Sequence, residues 1–172
     1  MASWKVSFDW MMESEDPARA YKVVPDAPPG AFAISGVNSA KWPQEFDFIS
    51  KLMISERGVA VQAFYYKNFW NGYFAQLVSD DVAKRVFDMA VNGGAGTAVK
   101  LLQRAVNSFT LSDLLVVDGG WGPKTVAAAN ACSPLTLIEA FQQQRIAYYE
   151  AVVAANPADA KYLNGWLARA RK

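Results

Sequence analysis

Phe87-Asp88-Met89-Ala90-Val91-Asn92-Gly93-Gly94-Ala95-Gly96-Thr97-Ala98-Val99-Lys100-Leu101-Leu102-Gln103-Arg104-Ala105-Val106 is the stretch that decides the fold class. Before the glycines, Val82, Val86, Phe87 and Met89 recur at helical spacing up to about Val91. After them, Leu101, Leu102 and Val106 mark the buried face of a second helix over 97–106. Asn92-Gly93-Gly94 supplies the left-handed backbone on which a helix stops. Asp80 or Asp81 offers the cap that opens the first helix.

The helical pattern extends both ways from this pair. Upstream it begins near residue 44, and Ser55-Glu56-Arg57 opens an aromatic-dense segment over 59–70. Downstream, a loop holds Asp118-Gly119-Gly120-Trp121-Gly122-Pro123, which reads as structural. Helices are expected over 124–131, 136–155 and 158–171. Residues 18–43 carry Pro25, Pro28, Pro29, Gly30, Gly36 and Pro43, which suit a loop or short hairpin, with Ala31-Phe32-Ala33-Ile34 as one strand. At the start, Phe8, Met11 and Met12 share one helical face near Trp4, and that helix ends by Pro17. The expectation is a mainly α protein of six to eight helices, with at most a small β-hairpin near residues 20–40.

Composition narrows the chemistry. The chain has 172 residues, 52% hydrophobic and 13% aromatic, with 17 Lys+Arg against 16 Asp+Glu. It can bury a sizeable core and is not intrinsically disordered. A net charge of +1 argues against bulk electrostatic capture of nucleic acid. There is no histidine, which excludes Ser-His-Asp and Cys-His nucleophiles and histidine-ligated zinc. One cysteine, Cys132, cannot build a thiolate metal site or an intramolecular disulfide. Carboxylates become the leading suspects. The first residues do not read as a signal peptide, and no run approaches the ~20 apolar residues of a spanning helix. The expectation is a protein made in the cytoplasm, without stable membrane insertion.

Glu13, Glu15 and Asp16 sit at the carboxyl end of the opening helix, where the dipole is already negative. Acids placed against a local rule are candidates for function. Glu13 and Glu15, two residues apart on a helix, point to different faces.

Several stretches resemble glycoside hydrolase family 108, the phage-type N-acetylmuramidases whose second half is described as peptidoglycan-binding. They are 87–94 with 98–105, Val117-Asp118-Gly119-Gly120-Trp121-Gly122-Pro123-Lys124-Thr125, Phe64-Tyr65-Tyr66-Lys67-Asn68-Phe69-Trp70 and Gly165-Trp166-Leu167-Ala168-Arg169. They run in order from about residue 60 to the end. In the first third, placing Phe8 on the family's early aromatic puts Glu15 on its catalytic glutamate. Asp16-Pro17 stand where the family has Gly-Gly, and Ala18 replaces its aromatic. Asp26-Ala27-Pro28-Pro29-Gly30 is similar to the family's acidic glycine loop, and Gly36-Val37 to its closing Gly-Ile.

The resemblance implies a lysozyme-like helical fold in two lobes: a catalytic segment over 1–58 and a peptidoglycan-binding-like region over 59–172, packed as one compact unit. It implies cleavage of the MurNAc-β-1,4-GlcNAc bond in peptidoglycan glycan strands, with Glu15 as general acid. No cofactor or metal is implied. The cleft would lie between the opening segment and the helices after residue 55. An endolysin of this kind is a monomer that reaches the periplasm and cell wall once a holin opens the membrane. An apolar wall and the helix end both disfavour the glutamate anion, which suits an acid catalyst. A second carboxylate belongs about 5–5.5 Å away in a retaining enzyme, or about 6.5–9.5 Å in an inverting one. Asp26 is the candidate, and turn chemistry is its alternative role. Tyr65, Tyr66, Trp70, Tyr73 and Gln76 are candidate sugar contacts, most of them equally suited to the core. Asn92 either meets an N-acetyl group or holds its turn. Lys161, Arg169, Arg171 and Lys172 form a basic end that is either a solvated tail or an attraction to the anionic wall. A lytic transglycosylase and a non-catalytic peptidoglycan binder are the competing functions.

Overall fold

The computed structural model describes residues 1–109 and 114–172. The chain divides into two compact units, Trp4–Gly72 and a second made of Met1–Ser3 with Tyr73–Lys172.

The first unit opens with α1 (Trp4–Glu15), which buries Ser7, Phe8, Met11 and Met12, the face expected from their spacing. Three short strands follow: β1 (Val23–Asp26), β2 (Ala31–Ile34) and β3 (Val37–Asn38), antiparallel in the order β1-β2-β3. The expected hairpin thus gains a third strand. Pro25 is tolerated because β1 is an edge strand. Ser35 and Gly36 join β2 to β3, both left-handed at φ +48 and +81. Two left-handed residues make the tight turn whose twist matches paired strands. Next come α2 (Pro43–Lys51) and α3 (Ile54–Tyr65), which runs straight into a π-helical turn, Tyr66–Trp70. Met11, Met12, Ile34, Val37, Ile49, Val61, Tyr65 and Trp70 form the core.

The second unit is helical: α4 (Asp80–Gly93), α5 (Ala95–Asn107), α6 (Pro123–Ala131), α7 (Pro134–Ala155) and α8 (Ala160–Ala170). Val86, Phe87, Met89, Leu101, Leu102, Leu137 and Phe141 fill its core. Gly94, at φ +88, separates α4 from α5. At the start of the chain, the Ala2 N–H bonds Ala75 O and Leu77 O, and the Ser3 N–H bonds Asp80.

Four sequence expectations change. The boundary expected at 58/59 falls inside α3, and the units part at Gly72, because the aromatic face of α3 packs on α1. The α4 cap is Ser79, whose hydroxyl accepts from the Val82 N–H at 3.3 Å; Asp80 and Asp81 lie in the first turn. Helices α6 and α7 start on their prolines rather than after them, since a first-turn N–H has no partner to lose. Arg169 is no tail residue. Its guanidinium donates to Asp88 Oδ1 at 2.6 and 2.9 Å, while fully buried Arg145 donates to Asp88 Oδ2 at 2.7 Å. Among the described residues, no helix is long and apolar enough to cross a membrane.

Candidate active site

Glu15 is the last residue of α1, and its carboxylate leans over the β2–β3 turn. A Cβ built on Gly36 would stand 2.5 Å from Glu15 Oε2 and 3.0 Å from Cδ, and closer still to the Tyr65 hydroxyl. The acid and the phenol therefore converge over a glycine Cα that is itself exposed. Tyr65 is 1% exposed, with Phe64, Phe69 and Phe8 around it at ring separations of 5.1, 5.8 and 6.2 Å. This is the apolar wall expected for the acid. Glu13 points to solvent, so Glu15 is the glutamate held at the turn.

The turn is fixed from three sides. The Tyr65 hydroxyl donates to Ser35 O at 2.9 Å, from α3. The buried Ser35 hydroxyl donates to Asp16 Oδ2 at 2.7 Å, just past α1. Asp16 also accepts from the N–H groups of Tyr21 at 2.8 Å and Ala20 at 3.0 Å, which folds the loop back on itself. Partial burial works against its charge, yet the Ser35 hydroxyl, the two N–H groups and the Arg19 guanidinium together hold its carboxyl below the ordinary aspartate value. Arg57 of α3 ties the loop down by donating to Tyr21 O at 3.0 Å and Ser50 O at 2.7 Å. The Tyr21 ring lies against Gly58, 3.1 Å from where a Cβ would stand.

Asp26 does not join this site. It pairs with Ala31 at the far end of the hairpin, exposed, and accepts from the Asn38 amide at 2.7 Å and the Ala27 N–H at 2.8 Å. The strand rise of about 3.3 Å per residue from Ala31 to Ser35 places its backbone roughly 13 Å along the hairpin from the turn.

The expected sugar contacts separate in the same way. Tyr66 is 45% exposed and meets Trp4 edge-on at 5.2 Å, so one ring face remains open. Trp70 is 1% exposed and belongs to the core, because the π-helical turn swings it inward against Trp4. Gln76 and Asn92 lie in the second unit. Gln76 is exposed, with its carbonyl bonded by Asn130. Asn92 donates back to Asp88 O at 2.9 Å along its own helix. The Asp118–Thr125 loop is structural. Gln103, 2% exposed, donates to Asp118 at 2.9 Å and accepts from the Gly119 N–H at 3.0 Å. A shallow depression of about 530 Å³ beside it is lined by Asp118, Trp121, Pro123, Lys124 and Thr125.

Sequence reasoning missed Asp16, Ser35 and Gly36 as a unit. A Ser-Gly pair between apolar strand residues was the available signal for a two-residue turn. That the turn meets Glu15 is a tertiary fact.

Residues 29–94 match a family model described as Glycosyl hydrolase 108, and residues 97–171 match one described as Predicted Peptidoglycan domain. The first match includes Ser35, Gly36 and Tyr65 and begins after α1. None of the curated proteins matches the chain in sequence. A solved structure of Brucella abortus SagA superposes with a TM-score of 0.70, at 20% identity, over 98% of this chain and 89% of that one. That likeness establishes the fold, mainly α and lysozyme-like. The two matched domains go further than fold: a glycosyl hydrolase 108 domain over 29–94 followed by a predicted peptidoglycan domain over 97–171 is the make-up of a glycoside hydrolase directed at peptidoglycan.

Proposed function

We propose that the enzyme is an N-acetylmuramidase that cuts the MurNAc-β-1,4-GlcNAc bond, with Glu15 protonating the leaving oxygen and water as acceptor. The observation that carries this reading is the convergence of Glu15 and Tyr65 over Gly36: a carboxyl at an exposed edge, backed by buried rings. The exposed face of Tyr66 is a platform for a sugar ring. The role would be lysis of a host cell, on glycan strands reached once a holin opens the membrane, by an enzyme working as a monomer.

Asp26's remoteness favours a second reading, a lytic transglycosylase, which needs one carboxyl group because the muramic acid's own hydroxyl replaces water. Digestion of purified sacculi by wild type and Glu15→Gln, followed by mass analysis, decides both points. Reducing muramic ends lost in the variant support the muramidase, and 1,6-anhydro ends select the transglycosylase. Full activity in a folded Glu15→Gln removes Glu15 from the role.

A further inference from the structure

The family's Gly-Gly after the glutamate is replaced here by Asp16-Pro17, and the structure gives the replacement work to do. We propose that Asp16 is a positioning residue of this site: its carboxylate is locked by Ser35, Ala20 and Tyr21, and through Ser35 it pins the Ser35–Gly36 turn against Glu15. The inference rests on the reading of Glu15 as the acid.

The geometry supplies both parts. Asp16 takes the Ser35 hydroxyl on the oxygen that also receives Tyr21, and its other oxygen receives Ala20. With three donors on two oxygens it is neither a mobile base nor a nucleophile. Ser35 in turn takes the Tyr65 proton on its carbonyl. The loop carboxylate, the turn and the α3 phenol therefore form one connected frame, and the face of that frame is Gly36 beneath Glu15.

The test is kcat and KM on soluble glycan chains, with a urea melt beside them, for wild type, Asp16→Asn, Asp16→Ala and Glu15→Gln. Asp16→Ala removes every acceptor from the frame and is expected to lower kcat about tenfold or more while KM stays within about twofold, because the turn shifts beneath the acid. Asp16→Asn keeps one acceptor oxygen for the Ser35 hydroxyl and the loop N–H groups and recovers part of the loss. If Asp16→Ala fails to fold, Ser35→Ala, which takes the hydroxyl out of the frame, carries the comparison. A folded Asp16→Ala with wild-type kcat, or a loss confined to KM, overturns the proposal. An inactive Glu15→Gln beside an unaffected Asp16→Ala sinks only the role of Asp16, whereas an active Glu15→Gln sinks the acid assignment.

Discussion

Gly36 is the residue at which backbone and chemistry meet. Its φ of +81 suits glycine, and any Cβ there would collide with Glu15 Oε2 and the Tyr65 hydroxyl. Gly36→Ala is expected to cost about 1–3 kcal/mol in stability from the left-handed backbone alone. It should also lower kcat/KM at least ~100-fold, since displacing a catalytic group by an ångström costs about that much. Urea melts and sacculus digestion measure the two effects separately. Tyr65→Phe keeps the ring and strips the Ser35 carbonyl of its donor, an expected loss of about 1–2 kcal/mol. Asp16 also makes a prediction for acid stability. Its folded carboxyl titrates below the ordinary aspartate value, so its contribution is fully present above that value and disappears as pH falls through the lowered one. Wild type should therefore be more stable than Asp16→Asn at pH 6, with the gap narrowing as pH falls below the ordinary aspartate range. A gap that persists undiminished in acid would contradict the clamp. Of these residues Glu15 and Asp16 stand out in the sequence by their odd place at a helix end, and Tyr65 as one of an aromatic run. Ser35 and Gly36 read as a turn, and nothing local says which side chains a turn will face.

At the level of elements, apolar periodicity located most of the helices, because one buried stripe per helix is what the core demands. The starts were harder. Proline was read as a stop, yet Pro43, Pro123 and Pro134 each stand in the first turn of a helix, where a missing N–H costs nothing. The π-helical turn at Tyr66–Trp70 escaped notice because an aromatic run has no period of its own. It is the reason that Tyr66 faces outward while Trp70 turns in. The loop after α5 was legible as structure, but its keystone was not: Gln103 looks like a surface amide in sequence and is buried against Asp118, Gly120 and Thr125. Gln103→Leu should destabilise the second unit by about 1–3 kcal/mol by leaving the Gly119 N–H and the Asp118 carboxylate short of partners. Calorimetry on the folded variant reads this, and a change below about 0.5 kcal/mol would place it among ordinary surface substitutions.

For the molecule as a whole, the least legible feature is the ion cluster on Asp88, which joins α4, α7 and α8 inside the second unit. Arg145 and Arg169 are far from Asp88 in sequence, and a helix-spaced arginine among apolar residues looks like any snorkelling side chain. Arg145 Nε and Nη1 have no hydrogen-bond partner among the described residues, so the cluster is expensive to keep. Removing its acid leaves the fully buried Arg145 guanidinium without its counter-charge. Asp88→Ala should lose about 3–5 kcal/mol, the range for breaking a buried pair from one side. A loss under about 1 kcal/mol in a denaturant melt would show the arginines reaching solvent instead. The division of the chain itself has a different kind of consequence. Residues 1–3 are held by residues 75–80, so the second unit is closed by segments from both sides of Trp4–Gly72 in sequence. On a ribosome residues 1–3 must wait for residues 75–80, and that unit cannot close until the whole of 4–72 has been made.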